Sequence, residues 1–514
     1  MRRVFLTGGV CAVGFWLMLA LCAGAESGTR EMVAMGDGTR LETFVHLPDT
    51  VPAPVVLLRT PYRFPGAGVA YHDAFAAALT DRGYAFVVQN LRGRFGSDGV
   101  FDPFRNAVAD GGDTVRWILA QPWSNGRVGT VGGSYNGYTA LAAAAGAPQV
   151  QAVVADDPAL DLWAGHRGGA LGLLPAFWLY LLDHGRWPDE AAKAAASDLP
   201  DHGQIDNALL GRDDPFWEAY LAGSVDSTDR SLRPELSDIC APVLTLKSKS
   251  EGWEDPVDLW RALRRTGCPA HRGDHRLIVT AQGHTHHLDQ LATGGTDVTA
   301  RVIGWLDRWL RDAPAQAMPP VLYRPDGAEG FRGADDWPVR GSETVFYLGQ
   351  RFSMVGNAHL VGAPASGLRR HVLKVDPATQ SPCADYPRRT YLSQPLEDDI
   401  LLAGPMRLEL FLRATTGAAG LSVQVYDYDT GRDVPLSFVT FAVARADGLA
   451  ADTATQLTLE THSVSHRFRA GTRIALSLGG SACGYGEVDH PAGAYELLYG
   501  TDAPSRLVFE AVAE

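Results

Sequence analysis

Short unbroken apolar runs alternate with helical patterns along the first part of this chain. Val55-Val56-Leu57-Leu58 and Ala85-Phe86-Val87-Val88 have no polar alternation, the mark of strands buried on both faces. Between them Tyr71, Phe75 and Leu79 fall on one helical face, and Val115, Ile118 and Leu119 form the next such face. Strand alternating with helix predicts a mainly parallel sheet with helices on both sides, over residues 26–158. Residues 159–237 show helical patterning rich in Trp and Leu and no strand run, so a helical cap is expected there. The sheet pattern resumes over 238–318 with Val243-Leu244-Thr245-Leu246 and Arg276-Leu277-Ile278-Val279-Thr280, and closes with a helix from Ala300 to Arg311. Pro314, Pro319 and Pro320 then mark a linker. Residues 319–514 carry period-2 runs such as Arg407–Leu412 and Leu421–Tyr426, broken by Gly and Pro, which predicts an antiparallel sandwich. The fold class is therefore α/β with a separate carboxy-terminal all-β domain.

Composition narrows the setting. The 514 residues suffice for two or three domains, and 46% hydrophobic with 20% charged residues is an ordinary globular mix. The formal charge of −14 argues against nucleic acid and anionic membrane surfaces as partners, and mildly favours cationic substrates. Residues 1–25 read as a signal peptide: Arg2 and Arg3, an apolar run through Cys22, then the small-residue pattern Ala23-Gly24-Ala25. Arg2-Arg3 also fits a twin-arginine export signal, and an uncleaved anchor is the rival reading. The expected location is periplasmic or secreted. Cys240, Cys268, Cys383 and Cys483 remain after cleavage, an even number in an oxidising compartment. Their positions favour Cys240–Cys268 and Cys383–Cys483 as disulfides, with four buried thiols as the alternative.

The candidate chemistry centres on Gly132-Gly133-Ser134-Tyr135-Asn136-Gly137, between strand-like Arg127–Val131 and Ala-rich helix-forming Tyr138–Ala145. A serine on a glycine-flanked strand-to-helix turn is a nucleophile elbow, although Asn136 stands where the second glycine of G-x-S-x-G would be. Such a turn lifts the hydroxyl clear and leaves helix-start N–H groups, Tyr135 first, to hold an oxyanion. A serine needs a base, and the base needs an orienting acid. Two later strand ends supply them in the order Ser, Asp, His: Asp255 in Glu251–Pro256, and His284 in Ala281–His287. Asp156 and Asp157, at the end of Gln151–Val154, are rival acids, and Glu254 adjoins Asp255. His284, His286 and His287 could instead bind metal. Without a matching Cys or carboxylate spacing, His286 and His287 read better as solvated loop residues. Arg92 and Arg94 read as the salt-bridged scaffold of their own Gly-rich loop.

Five segments carry a resemblance: Arg59-Thr60-Pro61-Tyr62, Asn90-Leu91-Arg92-Gly93-Arg94-Phe95-Gly96-Ser97-Asp98-Gly99, the elbow, Gly252-Trp253-Glu254-Asp255, and Ser465–Ile474. In these the chain resembles the cocaine esterase and X-prolyl dipeptidyl peptidase group of α/β-hydrolase serine hydrolases, which includes the α-amino-acid ester hydrolases. The resemblance implies a helical cap and a jelly roll of the galactose-binding-like kind. It also implies Ser134 as nucleophile, Asp255 as acid, His284 as base and Tyr62 as a side-chain oxyanion donor. The expected activity is cleavage of an ester or amide through an acyl-enzyme, with X-prolyl dipeptidyl peptidase or α-amino-acid ester hydrolase as narrower alternatives. A non-catalytic carbohydrate-binding protein is the competing class. Trp163, Trp253, Glu254 and Asp258 are candidate substrate contacts, and no cofactor or metal is called for. The substrate would be a small molecule or short peptide, and homo-oligomerisation stays open.

Overall fold

The computed structural model describes residues 28–513 except 63–67, 161–172, 198, 200–201, 222–229, 250–253, 285, 294–296, 315–316, 352–356, 376–387, 416, 430, 433, 448 and 480–492. Ten strands make the first sheet: β1 (Thr29–Ala34), β2 (Arg40–His46), β3 (Ala53–Thr60), β4 (Ala85–Asn90), β5 (Ser124–Gly133), β6 (Val150–Asp156), β7 (Val243–Lys247), β8 (Arg276–Val279), β9 (Val321–Tyr323) and β10 (Arg332–Ala334). Their spatial order is β1-β2-β4-β3-β5-β6-β7-β8-β9-β10, parallel from β4 through β9 and antiparallel at both edges. The sheet thus runs past the prolines at 319–320: β9 pairs in parallel with β8, Leu277 opposite Val321. It extends beyond the expected boundary at residue 318.

The helices are α1 (Gly68–Thr80), α2 (Ala107–Leu119), α3 (Tyr135–Gly146), the cap helices α4 (Leu174–His184), α5 (Glu190–Ser197), α6 (Ile205–Leu210) and α7 (Pro215–Leu221), then α8 (Pro256–Thr266), α9 (His286–Thr293) and α10 (Asp297–Arg311). Successive residues of one strand feed opposite cores, because side chains alternate across a sheet. Val55, Leu57, Val128 and Val153 pack with α2, α3 and the cap, while Val56, Leu58, Val131 and Val154 pack with α1, α9 and α10. That two-sided burial explains why these strands show no polar alternation.

Among the described residues the carboxy-terminal domain is all β: thirteen strands, from Ser342–Arg351 to Arg506–Val512, enclose a Leu- and Val-rich core. Pairing there is antiparallel apart from Ala358–Val361 alongside Arg388–Leu392. A disulfide joins Cys240, just before β7, to Cys268, just after α8, with Cα atoms 5.0 Å apart. Cys383 and Cys483 lie outside the described residues.

Candidate active site

Parallel strands send their carboxyl ends to one edge, so loops far apart in sequence meet there. Tyr62 follows β3, Ser134 follows β5, Asp156 and Asp157 close β6, Asp255 lies beyond β7 and His284 beyond β8. Ser134 adopts φ 56° and ψ −125°, a left-handed conformation that costs free energy in a residue with a Cβ. The turn is closed by Ser134 N–H donating to the Asp156 carbonyl at 2.8 Å. Any side chain at position 132 would put its Cβ 2.0 Å from the Asn136 carbonyl oxygen, so glycine is obligatory there. The elbow is real despite Asn136 in place of glycine. Tyr135 opens α3, which directs the first N–H groups of that helix toward the serine.

Tyr62 reaches this turn from the side. Its phenol is hydrogen-bonded with Ser134, and the indole N–H of Trp178 in α4 donates to the phenol oxygen at 2.8 Å. Burial pushes the phenol far above its ordinary pKa, and the bonds with Trp178 and Ser134 and the nearby Arg94 charge offset only part of that. Tyr62 therefore keeps its proton and remains a donor. Arg94 steadies the same corner: its guanidinium donates to the Pro61 carbonyl at 3.0 Å and to the Leu182 carbonyl of α4 at 2.7 Å. It ties the Tyr62 turn to the cap. Arg92, by contrast, is held in ion pairs to Asp37 and Asp110 at 2.7 Å each.

Two of the three histidines after β8 have different surroundings. His284 is half-exposed, with Nδ1 3.6 Å from Asp157 Oδ2. His287 is fully buried, its Nδ1 2.7 Å from Asp156 Oδ1 and its Nε2 2.6 Å from the Thr280 hydroxyl. Burial opposes a charge on His287, but the carboxylates of Asp156 and Asp157 outweigh it and raise its pKa. His287 is thus an internal strut rather than the solvated loop residue expected from the sequence. Nothing in His284-Thr285-His286-His287 marks which ring turns inward; the deciding partner, Asp156, is 131 residues away in sequence. Asp156, Asp157 and His287 also converge as a group that could hold a metal ion. There, however, both His287 nitrogens and one oxygen of Asp157, which accepts from Ser248 N–H at 2.7 Å, are already engaged by protein groups.

Among the described residues, Asp255 is bonded to groups other than His284. It caps α8: Oδ1 accepts from Val257 N–H at 3.1 Å, and Oδ2 accepts from Ser463 N–H of the β domain at 2.6 Å. The fully buried Lys247 ammonium stands 3.6 Å away. Burial would raise the Asp255 pKa, but Lys247, His462 and the two N–H donors hold it below the usual carboxylate range. Among the other expected substrate contacts, Glu254 is buried, paired with Arg233 and accepting from Leu160 N–H at 2.8 Å. Asp258 lies on α8 with Arg261 at 3.6 Å. Glu254 is a support for the cap rather than a surface for substrate. Trp163 and Trp253 lie outside the described residues.

A serine elbow on a mostly parallel α/β sheet, capped by helices and followed by an all-β domain, defines an α/β-hydrolase-like enzyme. The family follows from comparison with known proteins. Residues 37–286 match the family model of X-Pro dipeptidyl-peptidase (S15 family), and residues 314–511 that of the X-Pro dipeptidyl-peptidase C-terminal non-catalytic domain. The chain belongs to this S15 family of hydrolases. It is 30% identical over 359 residues to the cocaine esterase of Rhodococcus sp. (strain MB1 Bresler), covering 62% of this chain and 61% of that one. Two solved structures share the fold across both domains. One is an aminopeptidase from a marine sediment archaeon, Thaumarchaeota archaeon, with TM-score 0.78 and 20% identity over 97% of this chain and 99% of that one. The other is an α-amino acid ester hydrolase, with TM-score 0.75 and 18% identity over 98% and 99%.

Proposed function

We propose that this protein is an exported serine hydrolase that cleaves an ester or amide through an acyl-enzyme on Ser134. The observation that carries the reading is the strained Ser134 elbow hydrogen-bonded with a protonated Tyr62, with His284 on the same edge of the sheet. Ser134 Oγ attacks the substrate carbonyl carbon while His284 Nε2 takes the hydroxyl proton. The carbonyl oxygen becomes an oxyanion held by the Tyr62 O–H and the Tyr135 N–H. Collapse breaks the bond to the leaving alcohol or amine, which receives the proton from His284. Water then attacks the acyl-Ser134 ester with the same histidine as base, and the carboxylic acid product departs.

An ester without an α-ammonium group is the best-supported substrate class. Glu254, a natural candidate to hold such an ammonium, is committed to Arg233 and the Leu160 N–H. Export is supported by the leader pattern at 1–25 and by the Cys240–Cys268 disulfide.

The test combines substitution, active-site labelling and a substrate panel. Ser134→Ala and His284→Ala should each lower kcat by several orders of magnitude in folded protein, because such groups act as a unit. A fluorophosphonate should label the parent at Ser134 and leave Ser134→Ala unmodified. Turnover by purified Ser134→Ala would refute the mechanism. Among aryl esters, α-amino esters and X-Pro anilides, the aryl esters should give the highest kcat/KM; a preference for X-Pro anilides would move the assignment to a dipeptidyl peptidase.

A further inference from the structure

We propose that a pocket at the amino end of β8 is a binding site for a small aromatic carboxylate, remote from Ser134. The parallel strands send their carboxyl ends to the Ser134 edge, so Arg276, which begins β8, lies at the opposite edge of the sheet. There the start of β8, the middle of α10 and the chain at Met318 leave a pocket of about 270 Å³. Trp305, Trp309 and Met318 supply its apolar wall, and Arg276 and Arg308 its charge. Pockets for drug-sized ligands run from about 300 to 1,000 Å³, so this one suits a molecule of one or two rings.

The aromatic wall is preformed. Trp305 and Trp309, four residues apart on α10, meet edge to face with ring centres 5.9 Å apart. The Trp305 N–H donates to the Val153 carbonyl at 3.2 Å, which fixes that ring, and His271 stands edge-on to Trp309 at 5.7 Å. Beside them Gly304, a poor helix former in the middle of α10, leaves part of the wall as bare backbone. The loop that brings Arg276 to the pocket is tied down where it leaves α8. Cys268 is bonded to Cys240, the His271 N–H donates to the Cys268 carbonyl at 3.2 Å, and the Arg272 guanidinium donates to the Gly267 carbonyl at 2.7 Å. Such preorganisation spares a ligand the cost of ordering its site.

The charge is unbalanced. Arg276 donates through Nε to the Met318 carbonyl at 2.9 Å and through Nη1 to the Gly273 and His275 carbonyls at 2.8 and 3.0 Å, bonds that hold the guanidinium without neutralising it. The Arg308 guanidinium lies 5.0 Å from the centre of the Trp309 ring. Among the described residues neither arginine has a carboxylate within ion-pair distance. Asp274 also lines the pocket, but its Oδ2 is engaged by His271 Nδ1 at 2.9 Å. Burial lowers the Arg276 pKa; Asp274 offsets part of that, while Arg264 and Arg308 push it further down. An anion between Arg276 and Arg308 would relieve that repulsion, in a chain whose formal charge is otherwise −14. Two guanidinium forks beside two indole rings fit a carboxylate carried on a flat apolar body. A bare inorganic anion would leave the indoles uncovered, and a neutral arene would leave the cations unmet.

The experiment titrates benzoate, its neutral isostere benzamide, and acetate into the full-length protein, followed by ligand-detected NMR. Arg308 is exposed, so Arg308→Gln and Arg308→Lys should fold as the parent does, which circular dichroism checks. Benzoate should bind the parent saturably with Kd roughly millimolar, the range open to so small a ligand. Benzamide and acetate should each bind at least about tenfold more weakly, one lacking the charge and the other the ring. Arg308→Gln should weaken benzoate by roughly tenfold, and Arg308→Lys by less, because it keeps the charge and loses the fork. A benzoate held at the Ser134 edge would bind Arg308→Gln as tightly as the parent, and that result overturns the proposal. So does the absence of saturable benzoate binding, or benzamide or acetate binding as tightly as benzoate. None of these outcomes depends on Ser134 chemistry, so the hydrolase reading stands or falls separately.

Discussion

Trp178 reaches the centre of the site from the cap, and its single N–H shows how one atom can set another's chemistry. By accepting from Trp178, the Tyr62 oxygen is fixed in place, and its own proton is left for Ser134 or for an oxyanion. On the proposed mechanism, Tyr62→Phe removes only that donor and should lower kcat by roughly 10² to 10³ with little change in KM, the size expected for loss of an oxyanion donor. Trp178→Phe keeps an aromatic ring beside Tyr135 but removes the N–H together with part of the indole, so it should lower kcat by roughly tenfold. In Tyr62→Phe the Trp178→Phe change should then cost little more. Additive losses in this double-mutant cycle, measured as kcat, would mean that Trp178 acts independently of Tyr62. The places of Ser134, Tyr62 and His284 beyond strand ends could be read from sequence because each follows a short strand-like run. The contacts of Trp178, Asp157 and His287 could not. Each is defined by a partner on another strand or in the cap, and periodicity says nothing about which of several Trp, Asp or His residues turns inward.

At the scale of elements, the strands of the first sheet announce themselves where both faces are buried, as in β3, β4 and β7. β9 is three residues long and follows a proline pair, too short to display a period, so its place beside β8 is legible only in the folded sheet. The α8–β8 connection shows how such a junction responds to pH. His275 is 1% exposed just before β8 and accepts from Val243 N–H at 3.2 Å, near the Cys240–Cys268 disulfide. Burial, joined by the neighbouring His271, lowers its pKa from 6.5 to about 4. The folded state therefore prefers neutral His275, while the unfolded chain takes up a proton below pH 6.5. The stability contribution is complete above that value and disappears as pH falls toward about 4. With about 1.36 kcal/mol for each pH unit separating the folded and unfolded pKa, roughly 3 kcal/mol is at stake, most of it lost by about pH 5. His275→Gln keeps an acceptor for Val243 and cannot titrate. Urea midpoints measured at pH 7 and pH 5 should fall less in His275→Gln than in the parent; equal falls would show that His275 is not the group responsible.

At the scale of the whole molecule, the two domains share a core. Val257 and Trp260 of α8, Leu277 and Val279 of β8, and Val321 and Tyr323 of β9 pack with Trp337, Leu401 and Ala403. Polar links surround this patch: Asp255 accepts from Ser463, and Lys249 pairs with Asp326 at 2.7 Å, which lies 3.6 Å from His466 of the β domain. Both halves of the chain could be read from sequence, one from unbroken apolar runs and the other from alternation. The seam could not, because its residues belong to each half's pattern and nothing local says that they face one another. A large apolar interface makes relative domain motion costly and couples the unfolding of its partners. The α/β and β domains should consequently melt in one calorimetric transition. Leu401, 1% exposed on the β-domain side of the seam, provides the test. Leu401→Ala should cost about 2–5 kcal/mol through lost burial and the cavity left behind, and should lower that single transition as a whole. Trp260 and Trp337 would report the change from opposite sides of the seam by fluorescence, and kcat in the folded variant should remain close to the parent's. Two resolved transitions, of which Leu401→Ala moves only one, would show that the shared core packs the domains together without coupling their stability.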